Sequence, residues 1–131
     1  MEYKLEVVVV PVSDVDRAKA FYSDKCGFAV DVDSTPAPNF RVVQLTPPGS
    51  SCSVTIGPVI VTESAGGFRP SLQLSVSDIT AARAELAGRG VDITPVRHID
   101  NGEWLDGPGG RYNSFAFFKD PDGNDWALQQ K

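Results

Sequence analysis

The sequence is poor in cysteine. Its 131 residues include two, Cys26 and Cys52, and these lack the spacing of metal ligands. Structural disulfides belong mainly to oxidising compartments, and two thiols in apolar surroundings are more typical of a reducing one. We therefore expect two small buried thiols and no disulfide.

Long apolar runs are also missing. Runs such as Val7–Val10 are far shorter than the roughly 20 residues that cross a bilayer, and Met1–Glu6 lacks the charged-then-apolar plan of a signal peptide. The sequence therefore predicts a soluble, cytoplasmic protein without a membrane partner.

Positive charge is scarce and scattered. Twelve Lys and Arg against seventeen Asp and Glu give a net charge of −5. This excess of negative charge repels phosphate backbones unless a basic patch is present, and the sequence has none. A nucleic-acid partner is therefore not expected.

Histidine occurs once, as His98. A site with two histidine ligands is excluded, and any histidine-dependent proton transfer depends on this residue alone. Two interpretations are open: His98 points into a ligand cavity from a strand end, or it is a solvated loop histidine.

What the sequence does contain is an internal repeat. Val12–Asp14 is repeated as Val76–Asp78, and Gly27 is repeated as Gly90. In each copy an aspartate can cap a helix, apolar residues follow at helical spacing, and the glycine can end the helix in a left-handed conformation. Each half of the chain is thus predicted to begin with a strand and a helix.

Shorter strands complete each half. The predicted elements are strand Leu5–Val12, a helix from Val15 to about Cys26, strands Ala29–Asp33, Arg41–Leu45 and Cys52–Ile56, strand Ser71–Val76, a helix from about Ile79 towards Gly90, and strands Asp92–Val96, Tyr112–Phe118 and Trp126–Gln129. One domain, 1–131, is expected, with modules at about 1–57 and 71–131 and a linker at about 58–70. The glycine-rich stretch His98–Arg111 is predicted to be a loop, either a lid over a ligand or a flexible surface segment.

Two segments carry a family resemblance: VSDVDRAKAFYSDKCGF, residues 12–28, and DPDGNDWALQQ, residues 120–130. Together with the doubled module they resemble the vicinal oxygen chelate superfamily, which includes glyoxalases, extradiol dioxygenases and bleomycin-resistance proteins. The resemblance spans nearly the whole chain. It implies an α+β fold of two tandem βαβββ modules, with curved mixed sheets around a cavity, helices outside, and usually a homodimer.

The metalloenzymes of that superfamily place metal ligands at four positions, which correspond here to Val7, Ser53, Ser71 and Ala127. A hard or borderline divalent ion needs carboxylate or imidazole donors, and two hydroxyls with two hydrocarbons do not supply them. The resemblance therefore implies a metal-free member, and we expect no cofactor.

Period-two alternation predicts which side chains line the cavity. Small apolar and neutral polar residues come from the strands, and aromatic residues come from loops and edge strands. The predicted ligand-binding residues are Val7, Val9, Phe40, Ser51, Ser53, Thr55, Ser71, Gln73, His98, Trp104, Tyr112, Phe115 and Gln129. Trp104 and Tyr112 are the first choices for contact. The part of this wall that the strands contribute has no carboxylate, thiolate or imidazole and suits a neutral, partly apolar molecule, although the same residues also fit a merely solvated sheet face.

Three functions remain. The first is a metal-independent binding protein that sequesters an aromatic natural product or antibiotic, with no catalytic residue. The second is a glyoxalase-like lyase, isomerase or dioxygenase, either metal-independent or with metal ligands from His98, Glu103 and Asp106. The third is a structural or protein-interaction module.

Overall fold

The computed structural model describes residues 1–57 and 71–131, and the predicted linker at 58–70 lies outside them. The chain divides into two compact units, Met1–Arg69 and Pro70–Lys131. Across the described ranges, none of the helices has both the length and the apolar character needed to cross a lipid bilayer. Cys26 and Cys52 are free thiols and are partly rather than fully buried.

The first unit follows the predicted order of strand, helix and three strands. Its elements are β1 Val7–Val10, α1 Val15–Ala20, a π-helical turn Phe21–Lys25, β2 Ala29–Ala37, β3 Phe40–Thr46 and β4 Ser53–Ile56. The sheet order is β1-β4-β3-β2, with β1 parallel to β4 and the other pairs antiparallel. The module plan is confirmed, and β2 extends beyond its predicted end at Asp33.

The second unit repeats the plan with one more strand. Its elements are β5 Ser71–Val76, α2 Ile79–Gly88, β6 Arg97–Asp100, β7 Glu103–Asp106, β8 Phe115–Lys119 and β9 Asp125–Gln130. The sheet order is β5-β9-β8-β6-β7, with β5 parallel to β9 and the other pairs antiparallel. The predicted mixed α+β fold is confirmed.

The predicted helix caps are present in both units. Asp14 and Asp78 each accept a hydrogen bond from the backbone N–H three residues later, both at 3.0 Å. Gly27 and Gly90 have φ of 74° and 91°, the left-handed conformation that glycine adopts without steric cost. The repeated residues thus fix where both helices begin and where the chain leaves them.

The predicted strand Asp92–Val96 is wrong. Thr94 instead connects this segment to β8: its N–H donates to Phe117 O at 2.9 Å, and its Oγ1 accepts from Phe117 N at 3.0 Å. A side-chain hydroxyl takes the place of a backbone carbonyl, so no ladder of backbone pairs continues along the segment. Ile93 nevertheless packs in the core, at 5% exposure.

The predicted loop His98–Arg111 is also largely wrong, because β6 and β7 form a hairpin within it. The hairpin turns at Asn101 and Gly102, whose φ values of 53° and 81° are those of a primed two-residue turn. Asn-Gly between two strands is a strong hairpin signal, and it was visible in the sequence.

The segment after β7 is anchored to the hairpin rather than free. The Asn113 side chain accepts from Ile99 N at 2.9 Å and donates to Ile99 O at 2.8 Å, as a neighbouring strand would. Gly109 N donates to Ser114 Oγ at 3.0 Å, and Ser114 is fully buried. These bonds argue against both the lid and the flexible-loop interpretations.

Each core lies between a sheet and its helix. In the second unit the Phe118 and Trp126 rings stack with centroids 6.0 Å apart. The buried apolar residues of this unit are Ile79, Val91, Ile93, Ala116, Phe118, Trp126 and Leu128. Trp126 and Leu128 therefore lie on the helix-covered face, as the alternation of β9 predicts.

A charge cluster joins α1 to β2 and β3 in the first unit. Arg41 donates to both carboxylate oxygens of Asp33, at 3.0 and 2.9 Å, and to Asp16 at 2.5 Å. Lys19 donates to Asp33 at 2.7 Å. The hydrogen bond from Arg41, and to a smaller extent the one from Lys19, holds the pKa of Asp33 well below its usual range. The hydrogen bond to Asp33, and to a smaller extent the one to Asp16, raises the pKa of Arg41.

The Asp33 cluster predicts a pH-dependent stability. An aspartate has a pKa of about 3.9 in the unfolded chain, and the folded value is lower. The ionised group therefore stabilises the fold above about pH 4, and this contribution is lost as the pH falls further. At pH 7, Asp33→Asn should have a lower urea midpoint of unfolding than wild type. The difference between the two midpoints should become smaller as the pH falls from 5 to 3. Fluorescence-detected urea titrations measure this, with the exposed Asp24→Asn as the matched charge control. A gap that stays constant with pH would contradict the cluster.

A second prediction concerns two adjacent glycines. A Cβ on Gly109 would lie 2.3 Å from Asn113 O and 2.7 Å from His98 Cβ, whereas one on Gly110 would meet nothing within 4 Å. Gly109→Ala should lower the free energy of unfolding by roughly 1–3 kcal/mol, as overpacking does. Gly110→Ala should be neutral or stabilise by up to about 1 kcal/mol. Equal urea midpoints for the two variants would show that the segment is not packed as described.

Candidate functional site

One face of the second sheet is not covered by α2. Residues opposite one another on paired strands project from the same face, so the register assigns the side chains. The open face carries Ser71, Gln73 and Ser75 from β5, Ala127 and Gln129 from β9, and Phe115 and Phe117 from β8. The structure thus brings Ser71, Gln73, Phe115 and Gln129, all predicted ligand-binding residues, onto one surface.

Three aromatic rings on this surface form what we call the aromatic platform: Trp104, Phe115 and Phe117. Phe115 and Phe117 are nearly parallel, with centroids 6.1 Å apart and 7° between planes. Trp104 reaches over from β7 and meets both edge-on, at 5.6 and 5.5 Å. Because Trp104 remains 49% exposed, the platform presents aromatic surface on which a planar molecule can pack.

Two amide side chains border the platform. Gln73 Nε2 donates to Gln129 Oε1 at 2.7 Å, and Gln129 Nε2 donates to the backbone oxygen of Tyr112 at 3.0 Å. These bonds fix the orientation of both amides, so this side of the open face offers neutral hydrogen-bonding groups in set directions. The Tyr112 ring is 50% exposed and contacts the Arg111 guanidinium at 5.1 Å.

A cavity of about 690 Å³ adjoins the platform in the same unit. It lies at the end of β8 and β9 that is nearest their connecting turn, and it is lined by residues of both faces and by the segment tied to β8: Ser71, Asp92, Ile93, Thr94, Pro95, Phe117, Phe118, Lys119, Asp125, Trp126 and Ala127. Small-molecule pockets typically measure roughly 300–1,000 Å³. Phe117 belongs both to the platform and to the lining of the cavity.

His98 does not belong to this surface. It lies on β6 opposite Leu105, so it projects from the other face than its neighbours Arg97 and Ile99. Its Nδ1 lies 2.8 Å from Gly107 O, and because a carbonyl only accepts, Nδ1 carries the proton. Neither the cavity interpretation nor the solvated-loop interpretation holds: His98 anchors the segment after β7.

On the first sheet, Val7 lies opposite Ser53 and Val9 opposite Thr55. Ser53 and Thr55 are 8% and 6% exposed, although they were predicted to face a cavity. Ser51 is exposed and precedes β4. Phe40 begins β3 at the hairpin end of the sheet.

Alternation in the sequence did not predict a carboxylate that lies beside Ser53 in the first unit. The hydroxyl of Thr46 contacts both Asp31 Oδ2 and, at 2.6 Å, Ser53 Oγ. A bulge in β2 between Val30 and Val32 re-aims Asp31, and strict alternation does not foresee a bulge. The prediction of a wall without any carboxylate is therefore wrong for this unit, and it is also wrong for the second unit, where Asp92 and Asp125 line the cavity.

The chemistry of these groups fixes the direction of both hydrogen bonds. A carboxylate only accepts, so the single hydroxyl proton of Thr46 goes to Asp31. The Ser53 hydroxyl must then donate to Thr46. Ser53 is left as an acceptor towards any further partner.

The four positions that carry metal ligands in related enzymes do not fit a divalent metal here. Val7 and Ser53 lie opposite each other on β1 and β4, and Ser71 and Ala127 share the open face of the second sheet. The only donors among them are two hydroxyls, of which Ser53 already donates within its own chain of hydrogen bonds. Carboxylate and imidazole donors are lacking at all four positions.

A metal site from His98, Glu103 and Asp106 is not assembled either. Asp106 lies opposite Arg97, which places it on the other face of the hairpin from His98. Within residues 1–57 and 71–131, no three His, Cys, Asp or Glu side chains are grouped so as to hold a metal ion.

Replacement of Thr46 should disturb the first sheet. Thr46→Val leaves both Asp31 and Ser53 without their hydroxyl partner, and each lost hydrogen bond should lower the free energy of unfolding by about 0.5–1.5 kcal/mol. Thr46→Ser keeps the hydroxyl and should lose less than about 1 kcal/mol. Urea unfolding of the two variants measures the difference, and equal losses would show that the hydroxyl contributes nothing.

Comparison with known proteins identifies relatives in sequence and in fold. The sequence profile of the Glyoxalase/Bleomycin resistance protein/Dioxygenase superfamily matches residues 4–128. YetH of Bacillus subtilis (strain 168), described as an uncharacterized protein, is 24% identical over 127 residues, which cover 97% of this chain and 98% of YetH.

Solved structures share the fold over nearly their full lengths. TnmS3, an antibiotic binding protein from Streptomyces sp. CB03234, is 32% identical with a TM-score of 0.73, covering 98% of this chain and 96% of that chain. A member of the superfamily from Sphaerobacter thermophilus DSM 20745 is 27% identical with a TM-score of 0.74, covering 99% and 98%. The chain therefore belongs to the Glyoxalase/Bleomycin resistance protein/Dioxygenase superfamily.

Proposed function

We propose that this chain binds a small aromatic molecule, an antibiotic or related natural product, and sequesters it unchanged. The observation that carries the proposal is the aromatic platform of Trp104, Phe115 and Phe117 on the open face of the second sheet. TnmS3, which is 32% identical, is itself an antibiotic binding protein.

The platform supplies the affinity that such a ligand requires. An aromatic contact contributes about 0.5–1.5 kcal/mol beyond the burial of its area, and the exposed half of Trp104 is available for it. The Gln73–Gln129 pair lies on the same face and can hydrogen-bond oxygen or nitrogen substituents. The adjoining cavity gives room for substituents beyond the rings.

The same surface is poor in groups that transfer protons near neutrality. His98 projects from the other face. The neighbours of the platform on β5 and β9 are hydroxyls, amides, Ala127 and the carboxylate of Asp125, which is ion-paired with Lys119. General acid–base catalysis needs a titrating group within hydrogen-bond reach of the substrate. This composition favours retention of a ligand over its conversion.

We further propose that the protein is a homodimer and is cytoplasmic. The family resemblance implies the dimer. The two free thiols, Cys26 and Cys52, favour a reducing compartment.

A second candidate function is a metal-independent lyase or isomerase. One observation favours it: Asp31 is connected through Thr46 to Ser53, so that a carboxylate could take up a proton through two hydroxyls. A changed mass of the ligand after incubation would distinguish this function from sequestration.

The test uses titration calorimetry with a panel of planar bicyclic and tricyclic aromatic compounds. Trp104→Ala should weaken binding by about tenfold or more, which corresponds to ~1.4 kcal/mol, because it removes the ring that meets both phenylalanines. Leu105→Ala is the matched control, since Leu105 is 42% exposed on the same strand but projects from the other face.

Two results decide the outcome. Binding that is weakened by Trp104→Ala alone, with the compound recovered at its original mass, would support sequestration on the platform. Equal affinity of Trp104→Ala and wild type, or no binding of any compound in the panel, would overturn the proposed function.

A further inference from the structure

Arg97 lies at the edge of the aromatic platform. It is the first residue of β6, and its partner across the ladder on β8 is Phe115, so both side chains project from the open face. Arg97 lies outside the predicted strand Asp92–Val96, so the alternation of side chains along that strand did not assign it to a face.

The guanidinium of Arg97 is incompletely paired. The residue is half-buried, and its Nε is buried without a hydrogen-bond partner in the part of the chain that the structure describes. Asp106 lies opposite it on β7, yet the ion pairs of the described residues do not include one between these two. A buried charged donor without a partner is unfavourable until an acceptor arrives.

Other charges near the platform do not neutralise Arg97. Lys119 and Asp125, at the far end of β8 and β9, form an ion pair with each other. Gln73 and Gln129 are neutral and hydrogen-bond one another. The chain as a whole carries a net charge of −5, so an anion is attracted to this face by Arg97 and not by the overall charge.

We propose that Arg97 binds a carboxylate of the ligand, and that the ligands of this protein are planar aromatic acids. This inference rests on the proposed function, because the ring of the acid is taken to pack on the platform. The planar guanidinium matches a carboxylate through two parallel hydrogen bonds. It replaces the sequence-based expectation of a neutral ligand.

The geometry allows one small molecule to reach both groups. Arg97 and Phe115 are ladder partners on adjacent strands, and such strands lie about 4.7–4.9 Å apart. An aromatic ring with a directly attached carboxylate spans a comparable distance. A ring packed on Phe115 and Trp104 can therefore present its carboxylate towards Arg97.

Two probes of the same shape test the assignment: naphthalene-2-carboxylate and naphthalene-2-carboxamide, which differ in charge. Calorimetric titration of wild type should show the carboxylate bound at least about tenfold more tightly. Arg97→Gln should abolish this preference, because it weakens binding of the carboxylate far more than binding of the carboxamide, which accepts hydrogen bonds but carries no charge. Arg97→Lys keeps the positive charge but loses the planar guanidinium, so its preference for the carboxylate over the carboxamide should lie between those of wild type and Arg97→Gln. Arg89→Gln, at the exposed end of α2, is the control for the change in net charge.

The outcomes separate this inference from the proposed function. Equal binding of the two probes by wild type, or a carboxylate preference that survives in Arg97→Gln, would overturn the role of Arg97 and leave aromatic binding intact. Binding of neither probe by wild type would overturn the aromatic site itself. The comparison of the two probes on wild type needs no variant, so a folding defect in Arg97→Gln does not prevent a decision.

Discussion

The antiparallel pairing of β8 with β9 determines both the core and the surface of the second unit. It places Ala116 opposite Leu128 on the helix-covered face and Phe117 opposite Ala127 on the open face. A slip of one residue in either strand would exchange the two faces, burying polar groups and exposing the core. The hydrophobic packing that stabilises the fold therefore also holds the platform in place.

The turn between these strands keeps their register. Asp120 Oδ1 accepts from the backbone N–H groups of Asp122 and Asn124 at 2.9 and 2.8 Å, and Asn124 Nδ2 donates to Asp120 Oδ2 at 2.7 Å. Gly123 supplies the required positive φ of 85°. These polar residues thus have a structural role that does not depend on a metal. The closing segment can remain recognisable as that of its family while position 127 carries a methyl group.

The two units have similar strand–helix plans and different open faces. In the first, Asp31, Thr46 and Ser53 form a chain of hydrogen bonds beside a buried hydroxyl-bearing strand. In the second, aromatic rings and amides share the open face, and one of the rings, Phe117, also lines a cavity. The fold fixes the positions from which side chains project, and the residues at those positions decide whether a metal, a hydrogen-bond chain or an aromatic surface results. Here the positions that carry metal ligands in related enzymes hold two hydroxyl-bearing and two apolar side chains, Ser53, Ser71, Val7 and Ala127.

The sequence by itself determined the family, the helix caps, the glycine positions and the two faces of β9, because each follows from local dihedral preference or from strict alternation. It also named Trp104, Phe115, Gln73 and Gln129, although not their contacts. Only the tertiary structure decided two orientations. A bulge in β2 redirects the Asp31 side chain, and the pairing of β6 with β8 places Arg97 beside the platform. Bulges and edge-strand pairing depend on partners distant in sequence, and so local patterns cannot specify them.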